Sequence, residues 1–381
     1  TVMQPFVGDT ISGGELQTIV SETVDFPFPL VPVTETISTL ELFHGPTLAF
    51  KDVGARFMSR CLGHFVKDHD REITVLVATS GDTGGAVAAG FYGVEGVNVV
   101  ILYPSGKVSR TQEVQLTTLG KNITAIEVDG SFDDCQRLVK NAFMDNDLQK
   151  GLFLTSANSI NVARWLPQQL YYFFAHQQWN GQGAPVISVP SGNFGNICAG
   201  LLAHASGLPV QHFIAACNAN DTVPQFLQTG NYAAKPSVAT ISNAMDVGNP
   251  SNFVRILQLF QNRLPLLTEI LTAYSISDEE TRTTIADVYT KTGYMLDPHG
   301  AVGFLSLQRY LATTPEAKGY FLETAHPVKF YDVIEPVIDQ KISIPESIAV
   351  LLAKEKRSIR MQPNDADLKA LLLEKSFQLT V

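Results

Sequence analysis

The sequence predicts an α/β fold built from open, parallel sheets. Six short apolar runs are rich in β-branched residues, which is typical of strands buried on both faces of a parallel sheet. Helical stretches alternate with these runs, and that alternation indicates an α/β architecture. The predicted strands are Ile73–Thr79, Val97–Tyr103, Ile123–Val128, Gly151–Ser156, Pro185–Val189 and Phe213–Cys217.

Between the strands, the spacing of apolar residues predicts helices. In Asp133–Asp145 the apolar residues recur three and four positions apart, which places them on one face of a helix. A second helix is predicted over Asn161–Gln178, with a kink at Pro167. A late strand is predicted over Gly319–Leu322.

The two ends of the chain depart from this alternation. Phe26–Val33 contains three prolines, each of which removes a hydrogen-bond donor, so this segment is predicted to be extended. Near the other end, Pro345 precedes an apolar pattern typical of a helix, and Asp365–Lys375 repeats that pattern. We therefore predict a helical C-terminal tail over residues 341–381.

Length and composition limit the class of protein. A chain of 381 residues exceeds the usual size of one domain and predicts two or three. With 45% apolar and 17% charged residues, the composition favours a globular fold over disorder. The net charge of −10 gives no long-range attraction to nucleic acid or to anionic membranes. An anionic substrate would therefore need a local basic group.

The four cysteines are scattered and include no CxxC pair, so neither a metal site nor a redox pair is predicted. Reduced, buried thiols in a cytoplasmic protein are the favoured interpretation, and two disulfides are the alternative. No apolar run reaches the roughly 18 residues of a membrane helix, and no secretory signal is recognisable. The cysteines are Cys61, Cys135, Cys198 and Cys217.

Two glycine-rich turns follow predicted strands, which is where open α/β sheets bind ligands. Ser191–Asn196 precedes an apolar helix, so its backbone N–H groups and the helix dipole can hold a phosphate. A tight turn without a ligand is the alternative. In Ser80–Gly85, hydroxyls and backbone donors suit a carboxylate or a phosphate, although Asp82 or Thr83 can instead cap the helix.

Further side chains have the chemistry of a site. Lys51 lies among apolar neighbours that can desolvate an amine and make it a nucleophile toward aldehydes, with a solvated surface lysine as the alternative. Asn158, Ser159 and Arg164 can meet at the start of a helix, where arginine can hold a phosphate through two hydrogen bonds. A capped helix with an exposed arginine is the alternative. Structural roles are predicted for His44, His299 and His326.

A series of segments, ordered from Leu40 to Phe330, carries a resemblance to one enzyme family. They are LELFHGPTLAFKD, ATSGDTGGAVA, VVILYPSGKVS, LTSANSINVAR, SVPSGNFGN, NDTVPQFL, ISNAMDVGNPSN, LDPHGAVGF and ETAHPVKF. Together they resemble the threonine synthase family, whose members are pyridoxal 5'-phosphate (PLP) enzymes of fold type II, related to tryptophan synthase β. The resemblance implies a large and a small open-sheet α/β domain, with PLP in the cleft between them.

The resemblance also implies the extent of each domain. The large, PLP-binding domain is expected to combine residues 40–70 with residues 151–340. The small α/β domain is expected to span residues 71–150. Residues 1–39 are expected to be an N-terminal segment that is incomplete, and residues 341–381 form the helical tail described above.

By the same resemblance, several residues are expected to bind the cofactor. Lys51 matches the lysine that forms a Schiff base with PLP, and Thr324 matches the hydroxyl residue at the pyridine nitrogen. The loop around the cofactor phosphate corresponds to Gly192, Asn193, Phe194, Gly195 and Asn196.

Substrate contacts are implied at two further places. The substrate carboxylate is expected at Ser80, Asp82 and Thr83. Relatives with this fold often carry asparagine at the position of Asp82, and a carboxylate there would repel the substrate, so a backbone contact or a structural role is expected for Asp82. The substrate phosphate is expected near Asn158, Ser159 and Arg164, with Lys107 as a further candidate.

The implied reaction converts O-phospho-L-homoserine and water to L-threonine and phosphate, the last step of threonine biosynthesis, with Lys51 moving protons at Cα and Cβ. One alternative is a phospholyase that releases phosphate, 2-oxobutyrate and ammonia. A related dehydratase or cysteine-forming enzyme and a PLP- or ligand-binding protein without turnover are the others. The expected partner is a small-molecule substrate, with neither nucleic acid nor membrane, and the chain is expected to be a monomer or a homodimer.

Overall fold

The computed structural model describes residues 2–66, 72–181 and 183–374. Its strands are β1 (Leu30–Pro32), β2 (Ile37–Glu41), β3 (Ile73–Ala78), β4 (Val97–Pro104), β5 (Ile123–Val128), β6 (Phe153–Ser156), β7 (Val186–Pro190), β8 (His212–Cys217), β9 (Leu271–Ser275), β10 (Gly319–Glu323) and β11 (Ile359–Met361).

Most of the helices lie between these strands, and three short 3-10 turns accompany them. The 3-10 turns are Leu166–Gln168, Asn243–Met245 and Pro327–Phe330. The α-helices are α1 (Gln4–Val7), α2 (Gly13–Thr23), α3 (Lys51–Val66), α4 (Asp82–Phe91), α5 (Arg110–Thr117), α6 (Phe132–Met144), α7 (Asn146–Gly151), α8 (Val162–Trp165), α9 (Gln169–Gln178), α10 (Gly195–Ala205), α11 (Thr222–Thr229), α12 (Phe253–Leu259), α13 (Leu264–Ile270), α14 (Asp278–Thr292), α15 (Pro298–Thr313), α16 (Tyr331–Ile338), α17 (Glu346–Leu352) and α18 (Asp365–Leu373).

The strands form two sheets. One has six strands in the order β1-β2-β10-β7-β8-β9, and the other has five in the order β11-β5-β4-β3-β6. Neighbouring strands are parallel except for β1 and β2, which are antiparallel. The predicted α/β class is thereby confirmed, and each of the six predicted strands is present with bounds within two residues of the prediction.

Alternate residues of β3 enter two different cores. Val75 and Val77 pack in the core that includes α3 and α4. Leu76 packs on the opposite face, in the core that includes α6 and α18. Because successive side chains of a strand point to opposite faces, a strand covered on both sides must be apolar throughout. That requirement explains the continuous apolar runs in the sequence.

The edges of the five-stranded sheet differ from the prediction. β6 was predicted to be buried on both faces, but it is an edge strand, and the Phe153 side chain is 55% exposed. The C-terminal tail was predicted to be helical, yet Ile359–Met361 pairs with β5. β6 also lies within residues 151–340, the range expected for most of the large domain, but it pairs with β3 in the five-stranded sheet. Lys375, the predicted end of the last helix, lies outside the described residues.

Prolines act as predicted at two places. Pro167 lies in the 3-10 turn between α8 and α9, so the predicted helix over residues 161–178 is interrupted there. The segment Phe26–Val33 is extended, and its Leu30–Pro32 part adds β1 to the edge of the six-stranded sheet. No helix within the described ranges is long and apolar enough to cross a bilayer.

Parallel pairing brings the predicted loops together in pairs. β7 and β10 are parallel neighbours, so the loop at 191–196 and Thr324 leave the sheet at the same edge. β3 and β6 are likewise parallel, so the turn at 80–85 and residues 158–164 lie at one edge of the other sheet. The candidate site is therefore assembled from the carboxyl ends of strands in both sheets.

Candidate active site

Lys51 is the first residue of α3, and the loop before it is tied to the end of β10. The Phe50 N–H donates to the Thr324 carbonyl oxygen at 2.9 Å, and the His326 N–H donates to the Leu48 carbonyl oxygen at 3.0 Å. Leu48 has a φ of 57°, in the left-handed region that side chains rarely occupy. Such strain persists only where the surroundings enforce it, so the backbone at Lys51 is rigidly placed.

The Lys51 amine lies in a secluded, partly apolar setting. Its side chain is 16% exposed, its Nζ is 4.9 Å from the centre of the Phe50 ring, and the nearest carboxylate oxygen is Asp82 Oδ2 at 3.8 Å. Burial lowers the pKa of Lys51, and so do the charges of Lys329 and Arg164, against the opposite effect of Asp82 and Asp297. A lysine in this setting can act as a neutral amine nucleophile.

Asp82 begins α4, and its carboxylate is held by two groups. Its Oδ1 accepts a hydrogen bond from Gln112 Nε2 at 2.9 Å and lies 2.7 Å from Lys329 Nζ. Burial alone would raise the pKa of Asp82, but Lys329 and Lys51 outweigh it and hold that pKa well below its usual range. The carboxylate is thus ionised and already paired with protein cations, which agrees with the structural role expected for it.

Lys329 is a site residue that sequence reasoning missed. Its side chain is fully buried, and its ammonium donates to the Thr47 carbonyl oxygen at 2.9 Å as well as pairing with Asp82. Lysine is almost never fully buried without a partner. Its only sequence signal is its place in the ETAHPVKF segment, between the apolar Val328 and Phe330.

The turn at 80–85 presents backbone donors at the start of α4. Thr79 Oγ1 accepts from the N–H groups of Gly81 and Gly84 at 2.9 and 2.8 Å, which fixes the turn. Among the described residues, no hydrogen bond occupies the N–H groups of Ser80, Asp82 or Thr83. Unpaired donors at a helix N-terminus favour an anion such as a carboxylate.

The loop at 191–196 also presents unpaired backbone donors at the start of a helix, and it presents more of them. No hydrogen bond with another described residue occupies the backbone N–H groups of Gly192, Asn193, Phe194, Gly195 or Asn196. Phe194 caps α10 in the left-handed conformation, with a φ of 61°. A Cβ at Gly192 would lie 2.6 Å from the backbone of Met245, so only glycine fits there. These consecutive donors at the start of an eleven-residue helix form a cradle for a phosphate.

Two other segments of the chain brace this loop. Asn193 Nδ2 donates to Ser159 Oγ at 2.5 Å, and Asn193 Oδ1 accepts from the Ser251 N–H at 2.6 Å. Asn252 Nδ2 donates to the Asn193 carbonyl oxygen at 3.0 Å. Ser251 and Asn252, which sequence reasoning did not single out, therefore hold the loop in shape, and Ser159 joins it to the end of β6.

Two residues predicted to bind the substrate phosphate are engaged with the protein. Asn158 pairs with the backbone of Ala78, donating to its carbonyl oxygen at 2.8 Å and accepting from its N–H at 3.3 Å. Arg164 was considered as an exposed side chain, but it is 3% exposed and its Nη1 donates to the Ala157 carbonyl oxygen. Burial lowers the pKa of Arg164 to about 10, and its Nε has no partner among the described residues.

The remaining predicted residues differ in position. Thr324 is 5% exposed and immediately follows β10, whereas Lys107 is exposed on the loop after β4. His326 Nδ1 accepts from the Val328 N–H at 3.0 Å, and burial lowers the pKa of His326 to about 4. His299 is buried; its Nε2 accepts from the Ala244 N–H, so its Nδ1 carries a proton and donates to Asp297 at 2.6 Å. Both histidines have structural partners.

A buried carboxyl pair lies next to Thr324. Glu323 Oε1 accepts from the Asp297 N–H at 2.6 Å, and neither Glu323 nor Asp297 is exposed. Burial and the neighbouring Asp297 raise the pKa of Glu323 well above its usual value. Only Gly300 fits beside it, because a Cβ there would lie 1.7 Å from Glu323 Oε2.

These groups together can bind an aldehyde that carries a phosphate. Lys51 supplies an amine of lowered pKa, and the loop at 191–196 supplies a neutral set of phosphate donors. The free donors at 80–83 add a place for a second anion. A separate cavity of about 880 Å³ lies between α2, α3 and α4, and none of the predicted site residues lines it.

Comparison with known proteins agrees with this chemistry. A family model for pyridoxal-phosphate-dependent enzymes matches residues 37–319, and a model for the C-terminal part of threonine synthase matches residues 300–371. Threonine synthase from Serratia marcescens is 47% identical over 351 residues, covering 92% of this chain and 80% of the relative. Threonine synthase from Escherichia coli is 47% identical over 350 residues, covering 91% and 80%.

Solved structures give the same assignment. Threonine synthase from Escherichia coli has a TM-score of 0.91 and 44% identity, covering 98% of this chain and 86% of that chain. PLP-bound threonine synthase from Brucella melitensis has a TM-score of 0.91 and 33% identity, covering 98% and 87%. Maize serine racemase, at 16% identity and a TM-score of 0.61, shares the fold. The chain therefore belongs to the threonine synthase family of pyridoxal-phosphate-dependent enzymes, as its sequence segments predicted.

Proposed function

We propose that this protein converts O-phospho-L-homoserine and water to L-threonine and phosphate with PLP as its cofactor. Family membership supports the activity, and one observation carries the site: the Lys51 amine, of lowered pKa, begins α3 close to Asp82 and the free backbone donors at the start of α4. Elimination of phosphate followed by addition of water needs a base that reaches two neighbouring carbons. Lys51 is the group that fits this requirement.

The residues present fit PLP. Lys51 would bond to the cofactor aldehyde carbon, the N–H groups of the loop at 191–196 would hold the phosphate, and Thr324 would face the pyridine nitrogen. When bound, PLP supplies an electron sink that stabilises negative charge on the substrate carbons next to the amine. A threonine hydroxyl, unlike a carboxylate, does not enforce a positive charge on that nitrogen. We propose these roles from the matching of sequence motifs and from the free donors of the loop.

Two anionic groups of the substrate need separate sites. We propose that the carboxylate accepts hydrogen bonds from the backbone N–H groups at Ser80, Asp82 and Thr83 and from the hydroxyls of Ser80 and Thr83. The Asp82 side chain is occupied by Lys329 and Gln112, which leaves its backbone as the contact. The leaving phosphate is proposed to lie near Ser159, Asn158 and Arg164, with Lys107 approaching from solvent.

The protein's part in the chemistry is mainly proton transfer at Lys51. Once the substrate amine has displaced it, the Lys51 amine would accept the proton from Cα, give that proton up again, and then accept one from Cβ, and phosphate would depart from Cγ. Its lowered pKa favours the neutral form, which a base requires. Return of protons from the same nitrogen after water adds at Cβ would complete threonine.

We further propose that the two sheets are the cores of the two domains that enclose PLP. The four cysteines are buried and free, which supports a reducing compartment such as the cytoplasm. The expected partner remains a small molecule, and a monomer or homodimer stays our prediction.

The test combines spectroscopy with product analysis. Purified protein is mixed with PLP and O-phospho-L-homoserine, and the visible spectrum, threonine, 2-oxobutyrate and phosphate are measured for the wild type, Lys51→Ala and the exposed-lysine control Lys291→Ala. We expect threonine as the main product, and a loss of about 10²-fold or more in Lys51→Ala, together with the visible band of lysine-bound PLP. Mainly 2-oxobutyrate would identify the phospholyase instead. A normal lysine-bound band in Lys51→Ala would overturn the assignment of Lys51.

A further inference from the structure

Two lysines face opposite oxygens of one buried carboxylate. Lys329 Nζ lies 2.7 Å from Asp82 Oδ1, whereas Lys51 Nζ lies 3.8 Å from Asp82 Oδ2. The first distance is that of a strong, charge-assisted hydrogen bond, and the second is too long for one. Asp82 is therefore committed to Lys329, although Lys51 is the residue whose reactivity the site depends on.

The environment of Lys329 holds it in this pairing. Its ammonium also donates to the Thr47 carbonyl oxygen, which accepts a second hydrogen bond from Gln115 Nε2 at 3.0 Å. Gln112 approaches the same Asp82 oxygen as Lys329, at 2.9 Å. Lys329 is not exposed at all, so solvent does not separate it from Asp82. The ion pair is a fixed part of the site.

The consequence for Lys51 follows from charge balance. A lone buried carboxylate 3.8 Å from Lys51 would favour the ammonium form of that lysine, which neither attacks an aldehyde nor accepts a proton. With Lys329 present, the negative charge of Asp82 is neutralised by the positive charge of the Lys329 ammonium, which lies on the other side of the carboxylate from Lys51. The other charged groups that act on Lys51 are Arg164 from α8, which opposes its protonation, and Asp297 beside α15, which favours it.

We propose that Lys329 is a positioning residue, which by pairing with Asp82 leaves Lys51 as a free amine able to bond with the PLP aldehyde and to accept substrate protons. The proposal rests on the proposed function only in taking Lys51 as the amine that reacts with PLP. It also accounts for the presence of a buried aspartate beside the reactive amine. In this chain, Asp82 together with Lys329 is the neutral unit.

The test measures how fast the full chain, freed of cofactor, bonds with added PLP between pH 6 and 9. Trapping with borohydride and mass spectrometry locates the label on Lys51 and reports the neutral amine without any turnover. The variants are Lys329→Gln, Lys329→Arg, Asp82→Asn and the double variant Asp82→Asn with Lys329→Gln. Lys235→Gln is the control, because Lys235 pairs with Asp221 at 3.0 Å and is not among the charges that act on Lys51.

We expect Lys329→Gln to react at least about tenfold more slowly at pH 7, with the acid limb of its profile moved to higher pH. In the double variant, the acid limb should return to its wild-type pH or lie at a lower pH, because both the Asp82 carboxylate and the Lys329 ammonium have been removed. Lys329→Arg should restore most of the rate, and Lys235→Gln should leave it unchanged. A purely structural role would slow all pH values alike and would not be reversed by Asp82→Asn.

Two results would overturn the proposal. One is a Lys329→Gln protein that bonds with PLP at the wild-type pH profile. If that variant does not fold, the decisive comparison is Asp82→Asn, for which the proposal requires the acid limb of the pH profile to move to lower pH. The second overturning result is therefore an Asp82→Asn protein whose acid limb stays where it is in the wild type. Neither result depends on whether the product is threonine or 2-oxobutyrate, so failure of the proposed reaction is recognised separately.

Discussion

Replacing Gly54 by alanine should break the contact between α3 and α8 and displace Lys51, which lies one helical turn away. Gly54 lies on the face of α3 that meets the backbone of Arg164. A Cβ at Gly54 would lie 2.1 Å from the Arg164 carbonyl oxygen, which is backbone and cannot rotate away. An ordinary contact is about 3.5 Å, so the two helices must separate by more than about 1 Å.

The magnitude follows from two opposing effects. Alanine in place of glycine within a helix gains about 0.5–1 kcal/mol. Overpacking a tight core costs about 1–3 kcal/mol, and a clash with backbone lies at the upper end of that range. Gly63 in the same helix provides the matched control, because a Cβ there would lie 3.6 Å from Val94 Cγ1, an ordinary contact. We expect Gly54→Ala to be less stable than Gly63→Ala by at least about 2 kcal/mol.

Thermal unfolding followed by circular dichroism measures this difference. At about 1 °C per kcal/mol for a chain of 381 residues, the melting temperatures of the two variants should differ by about 2 °C or more. The rate at which Lys51 bonds with added PLP should also fall in Gly54→Ala and not in Gly63→Ala. If Gly54→Ala melts at or above the temperature of Gly63→Ala, the packing of α3 on α8 described here is wrong.

Two further predictions concern titratable groups. Burial lowers the pKa of His212 to about 4, so between pH 4 and about 6.5 the unfolded chain binds a proton that the native chain does not, and the free energy of unfolding falls as the pH falls. The variant His212→Phe, which keeps a ring against Tyr310, should therefore lose less stability than the wild type between pH 7 and pH 5 in urea unfolding. Equal losses in the two proteins would contradict this prediction. Burial raises the pKa values of Cys61, Cys135 and Cys198 to about 12 and that of Cys217 still further, so a thiol reagent at pH 8 should label these cysteines only after unfolding, and rapid labelling of the native protein would refute their burial.

Much of the fold could be predicted because its signals are local. A strand covered on both faces needs apolar side chains throughout, which made the inner strands such as β3, β4 and β5 recognisable. Proline interrupts a helix wherever it occurs in the helix interior, and Pro167 does so here. The edge strand β11 lacks this signal, because it is three residues long with an exposed arginine at its centre. Its pairing with β5 depends on where the tail docks.

The site divides in the same way. The turn at 80–85 and the loop at 191–196 were predicted because glycines after apolar strands leave backbone donors free at a helix start, which is a property of consecutive residues. Lys51 and Thr324 entered through the family resemblance. The role of Asn158 was not predictable, because its amide finds the backbone of Ala78 only when β6 lies beside β3.

By itself, the sequence determined the α/β class and the family, and it predicted the phosphate-binding loop and the reactive lysine. Only the tertiary structure decided that Arg164 is buried, that Glu323 lies against Asp297, and that Lys329 stands behind Asp82. The physical reason is distance along the chain: Lys329 donates to a carbonyl oxygen 282 positions away. Such contacts depend on how the two sheets and their helices pack. The charge of Asp82 is neutralised by Lys329, a residue that no local sequence pattern identifies as its partner.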